Sequence, residues 1–304
     1  MQENSEKIQN GNGKSFLNIL DELKTSILER TDRPKYPTGI ETLDEMVWGI
    51  HKKELMVIAA RPSHGKTSIA LQIAWNCSKI QNTSVIFLSL EMSAMSLAEK
   101  IMSQEFKIHN QDLRRGAEKE RSIENIEKLK ARWLEHLFEV FDNKGKRLEE
   151  VEETIKQFSP DIVVIDHIQR ISSKGHASKQ DAIAYYIQGL KEFAIKYNLA
   201  VIACSQINRG GSKMEFAMDF MKGSGEIEEA ADTILQCNWL VRDDSKELPN
   251  DYQIKTIKQR HGAMECKVIH FAPQFSSFRD KTEKELYESR THQGNHQESD
   301  WRVV

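Results

Sequence analysis

The chain has 304 residues, of which 39% are apolar and 29% charged, with a formal net charge of −3. That length suits one large α/β core with tails, and the balance is that of a globular, soluble chain. The charge excludes a protein that attracts nucleic acid as a whole body, so any polyanion must be held by local loops.

Met1 to Gly13 is polar and lacks the apolar core of a signal sequence, so residues 1–15 read as a flexible lead-in. Gly13-Lys14-Ser15 copies the end of a phosphate-binding loop, but no apolar strand precedes it. Phe16, Ile19, Leu20, Leu23 and Ile27 recur at helical spacing and predict an amphipathic helix over about 16–30. A Pro-bearing stretch, Arg33 to Thr38, follows, so 16–37 form a linker helix and connector. Packing on its own core and docking on a neighbouring subunit both fit such a helix.

From 38 to 280, short apolar runs alternate with amphipathic stretches. Strands are predicted at Leu55–Ala59, Val85–Leu90, Leu137–Phe141, Ile162–Asp166, Ala200–Cys204, Thr233–Leu240, Gln253–Lys258 and Lys267–Phe271. Helices are predicted near 68–80, 96–106, 122–136, 147–158 and 179–197. This alternation indicates an α/β fold: a mostly parallel twisted sheet with helices on both faces. His261-Gly262, between the last two strands, predicts a hairpin and hence antiparallel strands at the C-terminal end. Residues 281–304 read as a polar, frayed tail. No run of about 18 apolar residues occurs, so no membrane-spanning helix is expected. Cys77, Cys204, Cys237 and Cys266 lack metal-ligand spacing and read as small buried hydrophobes in a reducing cytosol.

The chemistry concentrates after the first strand. Ala60-Arg61-Pro62-Ser63-His64-Gly65-Lys66-Thr67 lies between a buried strand and an amphipathic helix, the context a P-loop requires. Backbone N–H groups from Arg61 to Ser68 can surround the phosphates of ATP. Lys66 supplies a cation for the β and γ phosphates, and Thr67 a hydroxyl for Mg²⁺. The first glycine of the G-x-x-x-x-G-K-[ST] pattern is replaced by Ala60, which is still small enough for a tight turn. Ile162-Val163-Val164-Ile165 ends in Asp166, the Walker B pattern, with Asp166 holding Mg²⁺ through a water. Glu91 closes the second strand, where strand ends of a parallel sheet gather around a nucleotide, and fits the base that activates water. A helix cap ahead of Ser93 is the competing role for Glu91.

Residues 38–280 resemble the C-terminal motor domain of DnaB-type replicative DNA helicases, a branch of the RecA-like ATPases. The resemblance rests on Thr38-Gly39-Ile40-Glu41-Thr42-Leu43-Asp44, the P-loop with its replaced first glycine, Ser89-Leu90-Glu91-Met92-Ser93 and Ile165-Asp166-His167-Ile168-Gln169. Ser205-Gln206-Ile207-Asn208-Arg209, Lys222-Gly223-Ser224-Gly225-Glu226-Ile227-Glu228 and Lys258-Gln259-Arg260-His261-Gly262 complete it. His167 and His261 stand where Tyr and Asn are commoner.

This resemblance implies a RecA-like fold and an ATP- and Mg²⁺-dependent hydrolase. Its activity would be unwinding DNA 5′→3′ at the replication fork, as a hexameric ring around single-stranded DNA. It implies Gln206 as the γ-phosphate sensor, and Lys258 and Arg260 as cations reaching the neighbour's ATP site. Arg209, Lys222, Gly223 and Gly225 would contact single-stranded DNA, with Ser172–Gln180 as a weaker second loop. The linker helix would dock on the adjacent subunit. Primase and a helicase loader are implied as partners through regions beyond this chain, and the setting is bacterial or phage-like, cytoplasmic and nucleoid-associated. A RecA-like recombination mediator or signalling ATPase without unwinding is the alternative. Arg61-Pro62-Ser63 and Lys258-Gln259-Arg260 argue against it.

Overall fold

The computed structural model describes residues 15–28, 34–80, 82–133, 137–142, 144–207, 224–242, 250–286 and 301–303. Contacts along the chain divide it into two units, Met1–Lys35 and Tyr36–Val304. In the first, helix α1 spans Phe16–Leu28, and its apolar residues repeat every three or four positions, as the sequence predicts.

The second unit begins with α2 (Glu41–Val47), β1 (Leu55–Ala60), α3 (Lys66–Ser78), β2 (Ser84–Ser89) and α4 (Ala94–Phe106). Then come α5 (Asn110–Arg115), α6 (Lys119–Trp133), β3 (Leu137–Asp142), α7 (Leu148–Phe158) and β4 (Ile162–Asp166). Helix α8 (Lys179–Lys196), β5 (Ala200–Gln206), α9 (Ser224–Ala230) and β6 (Thr233–Arg242) follow. The last strands are β7 (Asp251–Gln259), β8 (Cys266–Ala272), β9 (Ser277–Arg279) and β10 (Trp301–Val303).

All these strands form one sheet in the order β3-β2-β4-β5-β1-β6-β7-β8-β9, with β10 paired to β6. The first six run parallel. Strands β7, β8 and β9 add antiparallel, so the hairpin expected around His261 is present. Strand β1 lies between β5 and β6, and each of its six residues is buried. Its side chains alternate: Met56 and Ile58 enter one core with α3 and α4. Leu55, Val57 and Ala59 enter the other, with α7, α8 and α9. A strand covered on both faces must be apolar throughout, which explains the unbroken run Leu55–Ala60.

Three short helices, α2, α5 and α9, fall outside the predicted elements; each has only six or seven residues, too few for a periodic signal. The stretch read as a frayed tail from 281 is anchored at its start. Lys281 lies 2.6 Å from Asp251, and Glu285 receives both Arg279 amino groups at 2.7 and 2.8 Å. Its polarity reflects ion pairing, which composition alone does not separate from fraying. All four cysteines are free, three buried and Cys266 exposed.

Candidate active site

Strand β1 delivers the chain to the C-terminal edge of the parallel strands, where Arg61 to Gly65 turn it into α3. Ser63 and Gly65 both take left-handed backbone angles, φ 65° and 75°. At Gly65 a side chain would meet Phe278 Cζ at 3.1 Å, so glycine is needed for space as well as for φ. No side chain caps the start of α3, which leaves its first N–H groups facing outwards, as an anion site requires. The loop is fixed from behind. The Trp239 N–H donates to His64 Nδ1 at 3.1 Å, and the Tyr252 hydroxyl donates to the His64 carbonyl at 2.7 Å. His64, counted with the ATP-binding residues from sequence, therefore turns its side chain inwards, away from the cleft. Burial, then the Arg61 charge, lowers its pKa to about 4, so the ring is neutral.

A cleft of about 380 Å³ opens in front of this loop. Arg61, Pro62, Ser63, Gly65, Lys66, Thr67 and Ser68 form its floor. Glu91, Met92 and Gln206 stand on one side, and Trp239, Phe271 and Pro273 on another. Lys66 Nζ lies 3.6 Å from Asp166 Oδ1, and the Thr67 hydroxyl donates to Asp166 Oδ2 at 2.6 Å. Asp166 is fully buried, yet its Oδ1 accepts no hydrogen bond. A hydroxyl beside a buried carboxylate with an unused oxygen is a donor set suited to Mg²⁺, which takes one or two protein oxygens and completes its shell from phosphates and water.

Strands β2 and β4 are neighbours in register, Ser89 opposite Asp166, and the Leu90 N–H donates to the Asp166 carbonyl at 2.7 Å. This places Glu91 at the mouth of the cleft. Ser93 is the residue that caps α4, accepting from the Ser96 N–H at 3.2 Å, so Glu91 has no capping duty. Its carboxylate instead receives Arg170 Nη2 at 2.9 Å on Oε1, while His167 Nε2 lies 3.0 Å from Oε2. Partial burial favours the protonated acid. The Arg170 hydrogen bond and the charges of His167, Arg170 and Lys66 outweigh it and hold the carboxyl below the ordinary range. Gln206 ends β5, level with Ala60 on β1. Its N–H donates to Gln169 Oε1 at 2.9 Å, and Gln169 Nε2 donates to the Ser205 hydroxyl at the same distance.

Two residues here carry no mark in the sequence. Lys100 reaches over from α4 to the hydroxyls of Ser68 and Ser276, each at 3.2 Å, and lines the cleft. Burial lowers its pKa. Arg170 directly follows the Ile165–Gln169 segment, but nothing in the sequence ties it to its partner Glu91, 79 positions away.

Lys258 and Arg260 do not join the cleft. Strand β7 runs against β6, so Tyr252 faces Trp239 beside the loop, whereas Gln259 faces Thr233 at the opposite end of the sheet. Six residues of strand at about 3.3 Å each put Lys258 roughly 20 Å from Tyr252. There Lys258 Nζ donates to the Glu228 carbonyl, and Arg260 donates to the Glu229 carbonyl at 3.1 Å and lies 3.3 Å from Asp232. Both cations thus cover the carboxyl end of α9. Among the residues expected to touch DNA, Arg209, Lys222 and Gly223 lie outside the described residues. Gly225 lies in the first turn of α9, with open space where a side chain would be.

Residues 36–280 match the family model of the DnaB-like helicase C terminal domain. The chain belongs to this family. Among its relatives is a probable plasmid replicative DNA helicase of Chlamydia trachomatis, 29% identical, with 89% of this chain and 63% of the relative covered. Replicative DNA helicase DnaC of Bacillus subtilis is 30% identical, with 90% and 64% covered. The chain therefore spans less than two thirds of the length of these relatives. One solved ATPase domain has the same fold: TM-score 0.79, 24% identity, 89% of this chain and all of that one covered. A DnaB-like replicative helicase, solved with its interactions with primase, superposes with TM-score 0.76 at 24% identity, over 90% of this chain and 68% of its own. The DnaB-like assignment accounts for the mostly parallel sheet with an antiparallel end.

Proposed function

We propose that this DnaB-like domain hydrolyses ATP to move along single-stranded DNA and unwind duplex DNA 5′→3′, as a hexameric ring in the bacterial or phage-infected cytoplasm. The observation that carries this reading is the gathering of Lys66, Thr67, Asp166, Glu91 and Gln206 at one cleft while Lys258 and Arg260 stand at the far end of the same sheet. A site whose cations lie out of its own reach is completed by a second copy, and a closed ring of identical contacts supplies one to every site.

In this reading the loop N–H groups and Lys66 hold the phosphates, with Arg61, Pro62, Ser63, His64, Gly65 and Ser68 shaping the floor. Thr67 and Asp166 would hold Mg²⁺, which when bound screens the charge on the phosphates. Glu91 takes the proton of the attacking water, and Gln206 senses the γ-phosphate. The partner subunit would bring its own copies of the two cations, Lys258 and Arg260, to the developing charge. Arg209, Lys222, Gly223 and Gly225 would bear on the DNA phosphates without reading bases. Helix α1 would dock on the neighbouring subunit, and primase and a helicase loader would be partners through regions not present here.

The test is a strand-displacement assay run beside ATP turnover. The expected result is turnover stimulated by single strands together with duplex unwinding, both abolished by Lys66→Ala. Stimulated turnover without any unwinding would instead indicate a mediator or signalling ATPase, and normal turnover by Lys66→Ala would remove the P-loop assignment.

A further inference from the structure

The turn after β4 is a junction. Three of the four residues from His167 to Arg170 together touch both halves of this edge. Arg170 donates to the Glu91 carboxylate, beside which His167 Nε2 lies at 3.0 Å, while Gln169 holds the backbone of Gln206 and the hydroxyl of Ser205. The chain then continues into the exposed loop 172–178. That loop is pinned at both roots: Lys179 Nζ donates to the Ile171 carbonyl, and the Ser172 N–H donates to the Lys146 carbonyl at 2.8 Å. The second bond brings the 144–147 segment alongside. Lys146 and Lys174 are exposed there and make no ion pair among the described residues. Arg170 is itself about half exposed, 54% for its side chain, and stands two residues before Ser172 with its guanidinium on Glu91.

We infer that Arg170 is a positioning residue that restrains Glu91 until a phosphate of a single strand, drawn to the Lys146–Lys174 rim, takes over its guanidinium. The inference rests on the assignment of Glu91 as the base. With the Arg170 guanidinium donating to Oε1, Glu91 is tethered at the cleft mouth and is a weakened proton acceptor. A guanidinium binds phosphate oxygens in the same forked geometry as it binds a carboxylate, so a strand at the rim competes directly with Glu91. Transfer of Arg170 to the strand leaves Oε1 of Glu91 free to accept a proton from the attacking water. DNA-stimulated turnover then needs no large rearrangement, only the exchange of one ion pair.

The experiment compares ATP turnover of the full chain with and without saturating oligo(dT), for the wild type, Arg170→Gln and Arg170→Lys, with Glu91→Gln in parallel. For Arg170→Gln the strand-free rate is expected to rise towards the stimulated one, so that the stimulation ratio falls to about one. Arg170→Lys keeps the charge and is expected to retain part of the ratio. An unchanged ratio in both variants, or a strand-free rate that falls, overturns the inference. If Arg170→Gln fails to bind a fluorescent ATP analogue, Arg170→Lys decides: a full wild-type ratio overturns the inference and a reduced one supports it. Normal turnover by Glu91→Gln would sink the base assignment itself. An inactive Glu91→Gln beside an unchanged Arg170 ratio would sink only the restraint.

Discussion

The Thr67 hydroxyl donates to Asp166 at 2.6 Å across 99 positions of sequence, and the second oxygen of the same buried carboxylate has no hydrogen-bond partner. A buried carboxylate is costly unless its oxygens are used. The sheet pairing favours this arrangement, because β4 and β1 both run parallel to β5, so Asp166 ends β4 at the same edge where the loop after β1 begins. Asp166 is thus held ready for a cation.

Asp166→Asn keeps the shape and removes the charge. Turnover is expected to fall by about two orders of magnitude, as when one preorganised electrostatic partner of a reacting group is lost. ATP turnover titrated with Mg²⁺ checks this. A wild-type rate and Mg²⁺ midpoint would remove Asp166 from the metal site.

Gly65→Ala places a Cβ at φ 75° and 3.1 Å from Phe278. The left-handed angle alone costs about 1–2 kcal/mol for an L-residue. Denaturant melts should show a loss of that size, and binding of a fluorescent ATP analogue should weaken because the loop N–H groups are displaced. Unchanged analogue affinity would mean that the loop adapts.

Arg260→Ala leaves its own cleft intact. Turnover of the pure variant is expected to drop by about 10³-fold, the range for a finger residue. Mixing it with Glu91→Gln subunits should restore activity, since each supplies what the other lacks across the shared boundary. Mixed assemblies as inactive as either parent would place the action of Arg260 within its own chain.

Glu285 is held well below the ordinary carboxylate range, chiefly by the hydrogen bond from Arg279, against a smaller effect of burial. A depressed folded-state pKa stabilises the fold above the unfolded value, about 4.3, and that contribution is lost as pH falls below it. Glu285→Gln should therefore melt about 2 °C lower near neutral pH, with the gap closing in acid. A gap that persists below the glutamate range would point to packing rather than charge.

The parallel core was legible because Leu55–Ala60 and Ile162–Asp166 are buried on both faces and so read as unbroken apolar runs. The placing of the loop after β1, Asp166 and Glu91 at one edge was legible because all three follow or close strands, a position that sequence marks. Other features were hidden because they depend on contacts distant in sequence. His64 looks like a loop residue until β6 and β7 pack behind it. Lys100 is one cation on an amphipathic helix until Ser276 meets it. Lys258 and Arg260 are adjacent to a predicted hairpin, but only the register of β7 on β6 reveals which end of the sheet they occupy. The anchoring of Glu285 is invisible in a polar tail because charge pairing and charge solvation have the same composition.

The reversal of β7 sets Lys258 and Arg260 about one strand length from the cleft of their own chain, so under the proposed function each copy would carry a donor rim and an acceptor rim. Such a copy, diluted until it stands alone, would have a nucleotide cleft that nothing completes. Specific activity would then depend on protein concentration, with stray copies idle and consuming no ATP away from an assembled ring.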